Sequence, residues 1–329
     1  MGKRYNQINL VLKKWHIAVI LFFFISCNYE HKKSHVESFD ISPDKKKIIY
    51  SFGKTDTQNI YLMDLSNKKT SILFEGKGIF LNPRYSESGN LIVAIYLSEI
   101  KKMIPEFWIL DIKTGNINKI KLEEGYISDY AISKDEKKIY YAQAKEYTSN
   151  SPISPKAFHN YDIYALDIKS KGNERLSYLK AYSMSEILDF DQNTLLVSMQ
   201  GEVQESGLFF VNKKGKEIMS FQDLKKINII NDTLRNSSMY AQPIRLSNDS
   251  IISASSYQLV LLDLVNKKEY SLLNSNGYHY NIIRNSKEDV FFKQNDGTDS
   301  IFYFNLRSEK KIKSLLLDPK IIKYKNKPY

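Results

Sequence analysis

The sequence predicts an all-β protein, and in particular a six-bladed β-propeller of four-stranded antiparallel blades. Its apolar runs are short, rich in β-branched and aromatic residues, and separated by turn residues, which is typical of strands. One strand motif recurs six times, and successive copies start between 42 and 56 residues apart. A period in this range favours propeller blades over a helical solenoid. The copies are IYLMDL (60–65), FWILDI (107–112), IYALDI (163–168), LFFVNK (208–213), LVLLDL (259–264) and IFYFNL (301–306).

The first unit, residues 39–70, shows the parts of this repeat most completely. A short strand ends at Ser42-Pro43-Asp44, an apolar run follows at 48–50, and the recurrent strand ends before Ser66-Asn67. Proline has no N–H and a fixed φ, so Pro43 suits a strand end. Asp, Ser and Asn side chains bond their own backbone in turns. The unit therefore predicts four strands joined by tight turns.

Two segments carry a resemblance to a known family. SPDKKKIIYSF (42–52) and IYLMDLSNKKTSIL (60–73) resemble the repeat of TolB-like six-bladed propellers, a Phe-Ser-Pro-Asp-Gly turn, an apolar strand and an Ile-Tyr-x-x-Asp-Leu strand. Only the first unit keeps Ser-Pro-Asp intact, and the other five depart from it. The resemblance implies the propeller fold for most of the chain and a role in protein–protein interaction, and it implies little about activity.

Composition and charge agree with a folded domain that does not bind nucleic acid. Hydrophobic residues make up 42% of the chain and aromatic residues 13%, and the net charge is +11. Four basic residues and no acidic residue precede Cys27, so a chain starting there has 44 basic against 37 acidic residues, or +7. Lysine pairs such as Lys68-Lys69 and Lys137-Lys138 recur in turns, which favours solvated hairpins over one basic surface.

The N-terminus resembles the signal of a bacterial lipoprotein. A basic segment (3–14) precedes an apolar run (15–25) that is too short to span a bilayer comfortably. Ser26 and Cys27, the only cysteine, follow as in a lipobox, where the cysteine is diacylated and becomes the N-terminus. Phe24 replaces the usual Leu, as in Bacteroidota-type lipoproteins. The alternatives are an ordinary secretory peptide with an incidental cysteine, and a retained short anchor.

We therefore expect three regions: a lipoprotein signal peptide (1–26), a lipidated tether (27–37) and the six-bladed propeller (38–329). Two or three acyl chains anchor a protein stably. The expected location is the bacterial cell envelope, on the outer membrane, at its periplasmic or surface face. The expected partners are the membrane, through the lipid, and an envelope protein or glycan.

Aromatic residues near long loops are the candidate binding face. An insertion at 143–161 in the third blade and a connection at 222–238 are both predicted on the face opposite the Ser-Pro-Asp turns, and long loops often carry function. Tyrosine combines flat apolar area with a polar tip, which suits sugars and peptides. The alternative is packing between blades. The candidates are Tyr126, Tyr147, Phe158, His159, Tyr161, Tyr182, Tyr240 and Tyr278.

No catalytic motif is found in the sequence, and we expect no catalytic residue, metal or cofactor. Gly-x-Ser-x-Gly and His-Glu-x-x-His are absent. His159 and His279 alone do not make a metal-ligand set. Asp129, Asp189 and Asp191 are candidates for lining the channel, but their spacing marks no acid–base pair.

One set of acidic and amide residues recurs at the end of the third strand. A role repeated around a ring is structural, so these residues are predicted to cap turns. They are Asp64, Asp111, Asp167, Asn212, Asp263 and Asn305.

The sequence favours a non-catalytic, lipid-anchored propeller that binds a protein partner or glycan through its loop face. Two alternatives stay open: a propeller-scaffold enzyme acting on glycans, as a lyase or hydrolase, and a structural subunit of an outer-membrane assembly. Fold alone does not choose among them.

Overall fold

The computed structural model describes residues 35–54, 56–98, 103–149, 155–201, 206–213, 218–229, 240–255, 258–274, 279–284, 289–294, 300–308 and 310–316. Four predicted features lie wholly or largely outside these ranges: the signal peptide (1–26), the lipidation residue Cys27, most of the tether (27–37) and Tyr278. Nothing in the described ranges is a helix with the length and apolar character needed to cross a bilayer.

The described strands fall into six consecutive groups of four. Groups one and two contain β1 (His35–Ile41), β2 (Lys47–Lys54), β3 (Thr57–Asp64), β4 (Thr70–Phe74), β5 (Ile79–Tyr85), β6 (Leu91–Leu97), β7 (Pro105–Asp111) and β8 (Ile117–Lys121). Groups three and four contain β9 (Tyr126–Ile132), β10 (Lys138–Thr148), β11 (Ala157–Asp167), β12 (Asn173–Arg175), β13 (Ser183–Asp189), β14 (Thr194–Gln200), β15 (Ser206–Asn212) and β16 (Lys225–Lys226). Groups five and six contain β17 (Tyr240–Arg245), β18 (Ser250–Ser255), β19 (Gln258–Asp263), β20 (Lys268–Asn274), β21 (His279–Arg284), β22 (Asp289–Gln294), β23 (Ser300–Asn305) and β24 (Lys310–Leu316).

Within each group the strands pair antiparallel with their sequence neighbours, as predicted. The first two groups, however, form one eight-stranded sheet, whereas six separate four-stranded sheets are expected. The join is one parallel pair, Gln58 with Ile79, in which the Gln58 N–H donates to the Gly78 carbonyl at 3.2 Å. Strand β4 pairs only with Ile60–Met63 of β3, which leaves the backbone of Gln58 available to the next group.

The recurrent motif forms the third strand of every group, which confirms its predicted place. The capping role of the residue at its end is also confirmed at five of the six positions. Asp64, for example, accepts hydrogen bonds from the backbone N–H groups of Ser66 (2.8 Å) and Asn67 (3.3 Å). Four other residues accept the equivalent two hydrogen bonds, from the backbone N–H groups two and three positions later: Asp111, Asp167, Asp263 and Asn305.

The first strand of every group contains a register shift in its pairing with the second strand. Such β-bulges bend a strand and redirect side chains. In β5 and β17 the bulge holds Asn82-Pro83 and Gln242-Pro243, which suits proline because it cannot donate to a ladder. Asn82 and Gln242 have φ values of 48° and 51°.

Apolar clusters fill the space between neighbouring groups. Trp108 packs edge-on to Phe74 of β4 and Phe80 of β5, so it contributes to the contact between the first two groups. Ile301 of β23 packs in the same cluster as Val36 and the rest of the first group. The last group is therefore in contact with the first.

Three predicted boundaries differ from the structure. Strand β1 begins at His35, before the predicted end of the tether, because Val36 is 2% exposed and packs in the core. The predicted 222–238 connection begins with a 3₁₀ turn, Phe221–Asp223, and then supplies β16, which pairs with β15 and completes the fourth group. The 143–161 insertion is a continuation of β10 and β11, which stay paired as far as Thr148 and Ala157.

Candidate functional site

The first strands of five groups line an open cavity of about 860 Å³. Its lining comes from β1, β5, β9, β13 and β17 and from the turns that follow them, including Pro43, Ser86, Lys134 and Asn248. The cavity therefore lies toward the strand ends that lead into the second strands. The extended β10–β11 hairpin projects from the other end, since Thr148 ends β10 and Lys138, beside the turn, begins it.

Polar side chains of the lining bond across the boundaries between groups. Asp40 of β1 accepts a hydrogen bond from the backbone N–H of Tyr85 in β5, at 2.7 Å. Arg84 of β5 donates to Asp129 of β9, with 2.7 Å between Nη2 and Oδ1. The other Asp129 oxygen accepts from the N–H of Ile187 in β13, at 2.9 Å. The first four groups are thus linked in series.

The series continues to the fifth group. Glu186 of β13 accepts a hydrogen bond from the backbone N–H of Gln242 in β17. Arg245 of β17 donates back to the carbonyl of Phe190, just after β13, and to Asn248. Charged groups fixed in this way are pre-organised, because their positions are held by backbone contacts before any ligand arrives.

Burial raises the pKa of three carboxyl groups in the lining. The pKa of Asp40 rises to about 6, although two backbone N–H bonds and Arg84 oppose the shift. The pKa of Glu186 rises to about 7, mainly by burial, with the charge of Asp129 adding to it. The pKa of Asp129 is also raised, because burial outweighs the opposing charge of Arg84. Two carboxyl groups here therefore titrate close to neutral pH.

The cavity lining is acidic although the whole chain is basic. Three basic residues line it: Arg84, Lys134 and Arg245. Five acidic residues line it: Asp40, Glu87, Asp129, Glu186 and Asp189.

Three of these acids have a cation beside them: Asp129 pairs with Arg84, Glu87 with Lys134 at 3.6 Å, and Asp189 with Lys213, which is not in the lining. Among the described residues, no Lys or Arg lies within ion-pair distance of Asp40 or Glu186.

Two hydroxyl groups of lining residues have no hydrogen-bond partner in the described part of the chain. They are the buried Tyr85 Oη and Ser128 Oγ. Most buried polar atoms in native proteins are hydrogen-bonded, so these two atoms are exceptions. Both atoms are buried, and neither is exposed to the cavity.

The predicted aromatic face lies away from this cavity, since none of its seven described candidates lines it. The structure does bring five of them into two ring clusters. Tyr126 stacks on Phe158 with ring centroids 5.8 Å apart, and Tyr147 packs against the same ring at 5.0 Å. His159 packs against Tyr182 at 4.9 Å. Tyr147 is 56% exposed and Tyr182 47%, so both clusters reach the surface.

The structure places two other candidates in the interior. Tyr161 is 7% exposed and forms an isolated bridge with Ala181. Tyr240 is 8% exposed, and its hydroxyl donates to Glu269 at 2.6 Å. These two side chains pack inside the fold, which is the alternative that the sequence left open. The eighth candidate, Tyr278, lies outside the described residues.

Within the described residues, no group of three or more His, Cys, Asp or Glu side chains is placed to hold a metal ion. His159 is 8% exposed and sits against Tyr182.

Sequence reasoning found part of the cavity and missed the rest. Asp129 and Asp189 were predicted near the channel, and both line the cavity, whereas Asp191 is not in the lining. Asp40, Arg84 and Arg245 were missed. The available signal is their position, because each stands two residues before the serine of its turn: Ser42, Ser86 and Ser247.

Comparison with solved structures finds the same arrangement of strands in other proteins. An oligogalacturonate lyase in complex with manganese superimposes with a TM-score of 0.59, covering 87% of this chain and 78% of its own, at 12% identity. TolB from Acinetobacter baumannii superimposes with a TM-score of 0.56, covering 84% of this chain and 62% of its own, at 10% identity. An oligogalacturonate lyase from Vibrio parahaemolyticus superimposes with a TM-score of 0.57, covering 83% of this chain and 75% of its own, at 13% identity.

The fold is a β-propeller. At identities between 10% and 13% the likeness concerns the fold alone. No protein-family model matches the sequence, and no curated protein matches it either. The propeller's function must therefore be argued from its own side chains.

Proposed function

We propose that this β-propeller has six blades, is held in the bacterial cell envelope by a lipid on Cys27, and binds an envelope protein or glycan without catalysing a reaction. The observation that carries the binding role is the cavity of about 860 Å³ with its pre-organised charged lining. Ligand sites are typically concave and hold a few fixed polar groups among apolar side chains. Mixed apolar and charged lining of this kind fits a binding site.

Six blades are supported by the six groups of strands and by contacts between the first and last groups. Lys45 forms an ion pair with Asp289 at 2.6 Å, and Lys293 donates to the Val36 carbonyl at 2.5 Å. Lys293 is 4% exposed, so the second contact is buried. Closure of this kind removes the exposed edges that a sheet protein must otherwise protect.

The cavity and the aromatic contacts lie at different ends of the first strands, so one experiment separates them. Ser185 is exposed on the bulge of β13 and lines the cavity, which makes Ser185→Trp a means of filling it with little disturbance of the core. Ser185→Ala is the matched control. A third variant replaces residues 148–157 with a two-residue Asn-Gly turn, which removes the hairpin tip.

Each variant is used to capture partners from envelope extracts of the natural source. We expect Ser185→Trp to lose a specific partner that the wild type, Ser185→Ala and the shortened hairpin retain. If the partner is lost only with the shortened hairpin, the binding site is the aromatic face and not the cavity. Identical partners for all four proteins would contradict binding at either surface.

A second candidate function is catalysis on glycans. Asp40 and Glu186 line one cavity, and their pKa values of about 6 and 7 suit proton transfer near neutral pH. Two of the structural relatives are oligogalacturonate lyases. Incubation with oligogalacturonate tests this reading. Cleavage products that disappear in Glu186→Gln would favour the enzyme over the binding protein.

A further inference from the structure

We propose that the cavity is a receptor site for a primary ammonium group, and that its natural ligand is a lysine side chain of a partner peptide. The inference rests on the proposed binding function and specifies the ligand of the same site. It is carried by the charge of the lining, by the acceptors that the lining leaves open, and by the apolar surfaces between them.

The charge of the lining selects a cation. Acids exceed bases in the lining by two, or by one when Lys213, which pairs with Asp189, is counted, in a chain whose net charge is +11. A concave surface with an excess of acids concentrates cations, because low-dielectric walls focus the field. The acids with no cation within ion-pair distance in the described part of the chain are Asp40 and Glu186.

The lining also offers the acceptors that an ammonium group needs. A lysine ammonium has three N–H donors and no acceptor. The Asp40 oxygens each accept one backbone N–H, from Ile41 and Tyr85, and a carboxylate oxygen can accept more than one bond. Glu186 accepts from Ser185, Ser198 and Gln242, which leaves acceptor positions on its two oxygens.

The apolar part of the lining favours a lysine over an amino sugar. Pro43, Ile132, Leu188 and Ile244 contribute aliphatic surface to the cavity, along which the four-carbon stem of lysine packs. Sugars are usually held against an exposed aromatic ring, and one of the two aromatic residues of the lining, Phe39, is only 3% exposed.

The titration of the two carboxyl groups agrees with this assignment. A bound cation favours the ionised form, so ligand binding should lower both raised pKa values and release protons. The charged neighbours are Arg84 and Asp129, from β5 and β9, Asp189 at the end of the strand that holds Glu186, and Arg245 from β17. None of the cations among them pairs with Asp40 or Glu186.

Calorimetric titration of the purified propeller with the peptide trilysine tests the proposal. We expect binding that becomes tighter between pH 5.5 and 8, and that weakens roughly tenfold in Asp40→Asn and in Glu186→Gln. Trilysine acetylated on its side-chain amines and on its α-amine keeps the stems and carries no ammonium group, so it should not bind. Glu174→Gln, an exposed position on β12, is the matched control variant.

Each other outcome decides against the proposal. Absence of trilysine binding at millimolar concentration, or equal binding of the acetylated peptide, would overturn it. Binding of the glucosamine trimer without binding of trilysine would overturn the assignment to lysine. If Ser185→Trp abolishes partner capture while trilysine fails to bind, the proposed binding function stands and this inference alone fails.

Discussion

Arg84 in β5 and Asp129 in β9 form an ion pair with 2.7 Å between Nη2 and Oδ1, and the second carboxylate oxygen of Asp129 reaches β13. The Asp129 side chain is 4% exposed, whereas that of Arg84 is 34% exposed to the cavity. One carboxylate therefore joins three groups of strands. Its loss leaves the Nη2 group of Arg84 and the Ile187 N–H without their acceptor, while Nη1 of Arg84 still donates to the Tyr130 carbonyl.

Asp129→Ala should lower the free energy of unfolding by roughly 2–4 kcal/mol, because it leaves the half-buried Arg84 charge without its counter-ion and the Ile187 N–H without its acceptor. Urea denaturation measures the change. Lys137→Ala is the matched control, since its pair with Asp135 is 76% and 59% exposed. It should cost less than about 0.5 kcal/mol. Equal effects of the two substitutions would contradict the structural role of Asp129.

Glu186 should make stability depend on pH. Its folded pKa of about 7 lies above its ordinary value of 4.5, so the folded state holds a proton that the unfolded state has released across this window. Stability is therefore lost as the pH rises from about 4.5 to 7. The free energy of unfolding of Glu186→Gln minus that of the wild type should be roughly 1–3 kcal/mol larger at pH 8 than at pH 4.5. Urea denaturation at both pH values measures this difference. If no difference is found, burial does not raise the pKa of Glu186 in the folded protein.

Phe80→Ala should be among the most costly core substitutions. Phe80 is fully buried, and its ring centroid lies 4.5 Å from that of Tyr96 and 4.9 Å from that of Trp108. The cavity left behind should cost roughly 3–5 kcal/mol in thermal or urea denaturation. Ile117→Ala, at a 44% exposed position on β8, should change stability by about 0.5 kcal/mol or less. A small effect at Phe80 would mean that the first two groups do not pack as described.

Gly78→Ala should disturb the join between the first two groups. An added Cβ would lie 1.9 Å from the Leu97 carbonyl oxygen, which is backbone, and the Gly78 carbonyl accepts from Gln58. We expect a loss of roughly 1–3 kcal/mol from overpacking. Gly172→Ala is the control, because its nearest atom is the Ser170 hydroxyl oxygen at 3.3 Å. Similar melting temperatures for the two variants would contradict this prediction.

Cys27→Ala tests the proposed lipid anchor. Without the thiol no acyl chain can be attached, so the protein should move from the membrane fraction to the soluble fraction of the envelope. Fractionation with Ser26 and the rest of the chain unchanged, followed by immunoblotting, measures the distribution. Retention in the membrane fraction would show that another segment holds the protein there.

The cavity illustrates why a repeat pattern predicts a fold better than a site. Asp64 and its counterparts were predicted as turn caps because their bonds are made within three residues, and those bonds are present. The ion pair of Arg84 and Asp129 joins residues 45 positions apart, so their positions relative to the turns do not show that the two side chains meet. The same holds for Tyr161 and Tyr240, whose aromatic character predicted exposure but whose neighbours bury them.

Local patterns along the chain specify short strands in repeated groups of four, because alternation of apolar residues and turn chemistry act over a few residues. The packing of the strands adds that the first two groups share a sheet, that Asp40, Arg84 and Glu186 line one cavity, and that the predicted aromatic face lies elsewhere. No local pattern could supply this, because the environment of each of these side chains comes from strands distant in the sequence. Burial and charge at such a position depend on which strands become neighbours.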